Sequence, residues 1–372
     1  MTRTTLPLGY IPLTDAAPLI AAQELGFAAD EGLTLDLRPA PSWSALRDML
    51  STRQVAAAHM LSPVPVAAAL GLGGTGEALS AISILSFNGN VLGVSSAVAA
   101  KMQDADHRFA FDDAAAAGRA LFTAAPGFLR LGVPFPFSMH MELVTYWLTA
   151  LGLYDPDRIS VRTVPPPLMG EALRNGEIDA FCVGEPWGSA AVEAGLATLI
   201  LPGSAIWGGA PEKVLAARTA WAETNPDLTG RLIRAIWRAG RWLAEPGSHT
   251  LAAELLSRSA CLNLPAELID RALNGRLVIS PSGTERRTDG FMTFHGPTGA
   301  LPWPAHAEWI GTRLATRFGL QPDLAKPRAR AVFRSDIFRA ALHGTSAILP
   351  AAEIQTPPGA FFDGQDFSLG QN

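Results

Sequence analysis

Phe135-Pro-Phe-Ser-Met-His-Met-Glu-Leu-Val-Thr-Tyr-Trp147 opens a helix partway along its length. Ser138 is a good N-cap, and Leu143, Tyr146, Trp147, Ala150 and Leu151 recur behind it at helical spacing, which predicts one buried face. His140 falls in the first turn, where unpaired backbone N–H groups and the positive end of the helix dipole favour an anion. Such a turn can seat a small oxyanion. A histidine that only caps or packs locally is the plainer reading, and the rest of the chain decides between the two.

Outward from this helix, strands and helices alternate. On its N-terminal side Arg119–Ala124 is expected to be a strand. On its C-terminal side come a strand at Ile159–Val164, a helix at Leu168–Asn175 and a strand at Asp179–Val183. A helix then opens at Gly184-Glu-Pro-Trp187, and a strand at Ala197–Leu201 closes a unit of about 100 residues, the usual domain scale. The chain before it repeats the pattern. Residues 5–11 read as a strand, then Thr14 or Asp15 caps a short helix with Pro18 in its first turn and Gly26 at its end. Leu33–Arg38 is a second strand, Ser42 caps a helix starting at Trp43, and Ala56–Leu61 is a third strand. Pro63–Leu70 is a short helix and Leu79–Phe87 a fourth strand. This alternation predicts parallel sheets covered by helices on both faces. After the strand Lys213–Ala217 the composition turns helical, with a break at Asn225-Pro226 inside Arg218–Ala244. Residues 280–304 are loop-rich, and the tail from 345, rich in Pro, Gly and Phe, is expected to lie over the surface.

The totals set limits on what this chain can be. At 372 residues it exceeds the size of one core, so two domains are expected. Hydrophobic residues at 48% and charged residues at 17% describe a packed globular protein. A net charge of −5 leaves no basic footprint for nucleic acid, so an anion site must be built locally. Cys182 and Cys261 are isolated; Cys182 lies in the apolar run Ala180–Val183 and reads as an inert buried thiol. No metal site, no cofactor and no membrane span are expected. Residues 1–10 contain no apolar export-signal core, which points to a cytoplasmic protein, or to a periplasmic one whose export signal has been removed.

Four segments fall in order: Gly9-Tyr-Ile-Pro-Leu-Thr-Asp-Ala-Ala-Pro-Leu19, Ser42-Trp-Ser-Ala-Leu-Arg-Asp48, His59-Met-Leu-Ser-Pro-Val-Pro65 and Asp179-Ala-Phe-Cys-Val-Gly-Glu-Pro-Trp187. Together they resemble the nitrate-binding branch of the nitrate/bicarbonate solute-binding protein family, over roughly residues 5–320. The resemblance implies a type II periplasmic-binding-protein fold: two α/β domains around a ligand cleft, joined by a two-stranded hinge. The first domain would take residues 1–96 and 206–372, the second 97–205. Without an export signal, the chain is most similar to the cytoplasmic nitrate/nitrite sensors that pair with an RNA-binding antiterminator of the ANTAR class and release it when ligand binds. The substrate-binding component of an ABC importer for nitrate or a related anion is the alternative.

Four positions match the family's ligand motif: Trp43, Asn90, His140 and Lys213. Nitrate is planar, singly charged and accepts hydrogen bonds only, so a good site supplies N–H donors and one cation and keeps carboxylates away. Trp43 can donate its indole N–H and cover a planar anion. Asn90 stands where the family often has glutamine, one methylene longer, and Asn-Gly is also an ordinary turn signal. Lys213 follows Gly208-Gly-Ala-Pro-Glu212 and would supply the counter-charge. The bicarbonate branch has an acidic residue there and uses calcium, which a lysine would repel. Thr14 and Asp15 read as caps rather than contacts. For Glu185 two readings stand equally, lining the cleft or starting a helix, and His295 is a loop residue without an assigned role. No Ser-His-Asp, phosphate-loop or His-Glu-x-x-His pattern occurs, and the cysteine-rich motif of the thiamin-pyrimidine synthases on this fold is missing, so no enzymatic activity is expected.

Overall fold

The computed structural model describes residues 3–74, 76–296, 299–350 and 359–365. In chain order its strands are β1 (Thr4–Tyr10), β2 (Leu33–Pro39), β3 (Ala57–Leu61), β4 (Leu79–Asn88), β5 (Asn90–Ser95), β6 (Leu129–Val133) and β7 (Ile159–Thr163). They continue with β8 (Ala180–Gly184), β9 (Ala197–Pro202), β10 (Pro211–Arg218), β11 (Arg276–Val278), β12 (Glu285–Arg287) and β13 (Met292–Thr293).

Two large sheets result. One is six-stranded in the order β13-β4-β10-β3-β1-β2, the other five-stranded in the order β7-β6-β8-β5-β9. β1 runs parallel to β2 and β3, and β6 parallel to β7 and β8, as strand–helix–strand units require. Antiparallel pairings interrupt this pattern: the short edge strand β13 is antiparallel to β4, and two interior strands are reversed as well. β10 is antiparallel to both β3 and β4, and β5 is antiparallel to both β8 and β9. These two follow the segments where the chain changes sheet, so each enters its new sheet from the shared side.

The crossings are tied together. Asn88 and Gly89 both have left-handed φ, 55° and 90°, which turns the chain from β4 into β5 within three residues. Asn88 N donates to Ala210 O (3.0 Å) and its Nδ2 to Gly208 O (3.1 Å), pairing this crossing with the return segment. Elsewhere the two halves meet through Thr14 N donating to Glu185 O (2.9 Å) and Trp187 Nε1 donating to Pro12 O (3.0 Å).

The helix over Arg119–Ala124 corrects the expected strand. Asp113 caps a helix, Ala114–Ala124, by accepting from Ala116 N (2.8 Å), and the following strand is β6. The run of four alanines at 114–117 carries the helical preference through to Ala124, whereas Leu129-Arg-Leu-Gly-Val133 has the alternation of a strand. Thr14 and Asp15 correct a second reading. They form a single 3-10 turn, Thr14–Ala16, with no side-chain cap, ahead of the helix Ala17–Glu24. Within the tail, residues 359–365 do lie across the protein: the Phe361 ring stacks on Trp207 (4.8 Å, 22°), and Tyr146 Oη donates to Asp363 Oδ2 (2.9 Å). The tail's other expected surface segments, 351–358 and 366–372, and Pro297-Thr298 of the loop-rich stretch lie outside the described residues. Among the described residues, no helix is long and apolar enough to cross a membrane.

Candidate functional site

Lys213 defines the site. It stands on β10 between Leu61 of β3 and Ser86 of β4, and every residue of β10 is buried. Its ammonium has no contact with solvent and pairs with Asp15 Oδ2 (2.8 Å) and Glu212 Oε1 (2.9 Å). Burial pulls the Lys213 pKa down, but the two carboxylates outweigh that and hold it above its ordinary value, so the lysine stays charged.

Trp43 sits above the lysine. Ser42 caps its helix, Trp43–Ser51, by accepting from Ala45 N (3.2 Å), which fixes the indole at the first turn. The helix lies so close to β1 that a Cβ on Gly9 would stand 2.4 Å from Leu46 Cδ1, so any larger residue there would require the leucine side chain to shift. The lysine Nζ is 5.5 Å from the Trp43 ring, a cation–π distance. His59 of β3 lies beside that ring (5.8 Å) and its Nε2 contacts Asp15 Oδ1 at 2.9 Å.

The second sheet contributes His140 and Asn90. Ser138 caps the helix Met139–Ala150 by accepting from Met141 N (3.2 Å), and this places His140 in the first turn, almost wholly buried. Its Nδ1 lies 3.2 Å from Glu212 Oε1, off the direction of a good hydrogen bond. Asn90 Nδ2 donates to Glu212 Oε2 (2.8 Å). Gly184 borders the site: a Cβ there would lie in ordinary van der Waals contact with His140 Nε2 (3.8 Å) and Asp15 Oδ2 (3.9 Å).

Trp43, Asn90, His140 and Lys213 therefore converge, with Trp43 and Lys213 coming from the first sheet and its helices, His140 and Asn90 from the second. Asn90 commits its amide N–H to Glu212. The expectation that carboxylates keep away from the site is corrected: Asp15 and Glu212 both grip Lys213. Sequence reading assigned Asp15 to a cap and left Glu212 and His59 without a role. One signal for Glu212 was available, since the unbroken apolar run Val214–Ala217 marks a strand covered on both faces, and a Glu-Lys pair at its head must be buried with it.

Burial sets the protonation states. His140 is held well below the ordinary imidazole range by burial, with the Lys213 charge adding to it. His59 is also held low, by burial against the pull of Asp15. Burial alone would raise Asp15, but Lys213 and His59 overcome it and keep the carboxylate ionised. Glu212 goes the other way: burial raises it, and Lys213 offsets only part of that. The buried donors and ring nitrogens at this place that have no hydrogen-bond partner among the described residues include Trp43 Nε1, both ring nitrogens of His140, His59 Nδ1 and the Thr14 hydroxyl. Each orphan costs about 1–3 kcal/mol unless something completes it. Also among the described residues, no group of three or more His, Cys, Asp or Glu side chains is arranged to hold a metal ion.

Comparison with known proteins agrees with this architecture. Residues 2–257 match the NMT1-like family. The nitrate import ATP-binding protein NrtC of Synechococcus elongatus is 33% identical over 343 residues, which is 91% of this chain and 50% of that protein. The bicarbonate transport ATP-binding protein CmpC of the same organism is 31% identical across 98% of this chain and 53% of its own length. The chain thus spans about half the length of these relatives. The crystal structure of the periplasmic nitrate-binding protein NrtA from Synechocystis PCC 6803 superposes with a TM-score of 0.86 at 26% identity, covering 97% of this chain and 94% of that one. The two sheets, the paired crossings and these matches together place the chain in the NMT1-like family of nitrate/bicarbonate-type solute-binding proteins, with a periplasmic-binding-protein fold.

Proposed function

We propose that the chain binds nitrate or nitrite between its two halves, held by Trp43, His140 and Lys213, with Asn90 steadying Glu212. One observation carries this reading: buried, unpartnered Trp43 Nε1 and His140 Nε2 flank a fully buried lysine, each supplied by a different half of the molecule. A small planar acceptor with one negative charge completes all three. The similarity to nitrate-binding NrtA and nitrate-importing NrtC supports the same ligand. Similarity to CmpC raises bicarbonate, but Lys213 disfavours the calcium-dependent site that the bicarbonate branch is expected to use. Two or three charge-assisted hydrogen bonds of about 1.5–3 kcal/mol each, less the ordering costs, correspond to micromolar binding.

The finer reading is a cytoplasmic sensor whose domains, 1–96 with 206–372 and 97–205, close on the anion and so change the surface offered to an ANTAR-type antiterminator. A ligand bridging two halves joined by paired crossings gives such a device its physical basis, because ligand and partner need only prefer different closure states. The importer reading, with the chain outside the cytoplasm, is favoured by the names of the relatives. Calorimetry against nitrate, nitrite, bicarbonate and a sulfonate is expected to show micromolar binding of the first two. Size-exclusion chromatography with the antiterminator is then expected to show a complex that nitrate dissolves, the mutual weakening being about 5–150-fold. A complex unchanged at saturating nitrate leaves the importer reading.

A further inference from the structure

Resting on the anion-binding reading, the charges in the site carry a second conclusion. One lysine, Lys213, faces two carboxylates, Asp15 at 2.8 Å and Glu212 at 2.9 Å. The other groups facing Glu212 add no fixed cation. They are His140 from the helix Met139–Ala150 at 3.2 Å and Asn90 from β5 at 2.8 Å. Cys182 from β8 feels the Glu212 charge, and its thiol is held well above its ordinary range by burial first and by Glu212 second. His59 engages Asp15, not Glu212. With both carboxylates ionised and both histidines neutral, the cluster carries one net negative charge. Adding nitrate would make two, with every one of these side chains sealed from water. At such distances in a low-dielectric interior an uncompensated charge is among the most costly things a fold can hold.

We propose that the site takes its anion together with one proton, held by the Glu212–His140 pair. The proton comes from solvent and goes either to the Glu212 carboxylate or to the imidazole. The two ionisations are coupled, so it belongs to the pair. The geometry gives it a second effect. When Glu212 Oε1 carries the proton and turns into line with His140 Nδ1, 3.2 Å away and off the hydrogen-bond direction here, it donates to Nδ1 and fixes the ring as the tautomer with its hydrogen on Nε2. Neither ring nitrogen of His140 has a hydrogen-bond partner among the described residues, so the proton neutralises a charge, satisfies Nδ1 and leaves Nε2 as an N–H donor for the anion. Asn90 donates to Oε2, while Oε1 faces both Lys213 Nζ (2.9 Å) and His140 Nδ1 (3.2 Å), so the exchange with the imidazole takes place at Oε1 beside the lysine. Burial raising the Glu212 carboxyl is consistent with the same assignment.

The sign of the pH dependence follows. Nitrate binding strengthens as pH falls and levels off once the pair is already protonated in the free protein; above that point Kd rises by up to about tenfold per pH unit. The test is calorimetry of the full chain with nitrate, from about pH 6 to about pH 10, in paired buffers of small and large ionisation enthalpy. The difference in heat between paired buffers counts protons. The expected result is uptake rising towards one proton per nitrate at the alkaline end, and uptake near zero at every pH in Glu212→Gln. Nitrate binding with no uptake anywhere in the wild-type range overturns this inference and leaves the anion reading standing. Undiminished uptake in Glu212→Gln overturns the assignment to the pair. Absence of nitrate binding in every buffer overturns the anion reading itself and this inference with it.

Discussion

Lys213→Met is expected to weaken nitrate binding by roughly two to four orders of magnitude, which is the about 3–5 kcal/mol cost of taking one partner from a buried ion pair. The methionine keeps the length of the stem and removes only the charge. An anion in the site would then face Asp15 and Glu212 with no cation between them. The substitution also strips the counter-charge from those carboxylates in the free protein, so lost binding could reflect lost folding. Glu212→Gln combined with Lys213→Met separates the two, because it removes one of the abandoned charges. The double variant is expected to melt cooperatively near the wild-type temperature and still fail to bind nitrate. Wild-type affinity in a folded Lys213→Met protein would show that the lysine is not the counter-charge.

Glu185→Gln is expected to stabilise the protein at alkaline pH by about 3 kcal/mol, taking 1.36 kcal/mol per pKa unit. Glu185 is fully buried, and burial raises its carboxyl from an ordinary 4.5 to about 7, against the pull of Ser189, whose backbone N–H donates to Oε1 at 3.2 Å. A carboxyl raised in the folded state contributes its full stability below the unfolded value. That contribution is lost as pH rises through the folded one. Wild-type stability should therefore fall between pH 4.5 and about 7 on account of this group. Glutamine mimics the protonated acid and keeps an acceptor for Ser189. Denaturant titration of both proteins should show equal stability at acid pH and a gap that opens up to about 3 kcal/mol on the alkaline side. A constant gap, or none, contradicts the reading. The position matters because the Glu185 carbonyl accepts Thr14 N across the two halves, one residue from Asp15 of the buried lysine cluster.

The fold was largely legible because each half repeats short strands and capped helices whose punctuation is local. Ser42 and Ser138 cap as their sequence contexts imply, and those caps put Trp43 and His140 in the first turns of their helices, beside Lys213 and Glu212. Local reading failed at Arg119–Ala124, where a helix capped at Asp113 runs through residues that alone resemble a strand. Trp43, Asn90, His140 and Lys213 were singled out from the sequence and do come together, whereas the acids beside them were not foreseen. Asp15 looks like a cap because helix starts favour aspartate. Its carboxylate is instead claimed by His59 and Lys213, 44 residues away in the first case and brought to it by β10 in the second. Glu212 is adjacent to Lys213 in sequence, yet its burial depends on β5 and the His140 helix closing over it from the other sheet. Pairings made by strands from distant parts of the chain leave no periodicity to read.

The most direct measurement is a crystal structure of the chain grown with nitrate. The predicted result is flat, trigonal density within about 3 Å of Trp43 Nε1, His140 Nε2 and Lys213 Nζ, so that the orphaned donors are completed by one ligand. Nitrate bound elsewhere, or a site still closed by the Lys213–Glu212 pair with Trp43 Nε1 unpartnered at saturating nitrate, would contradict it.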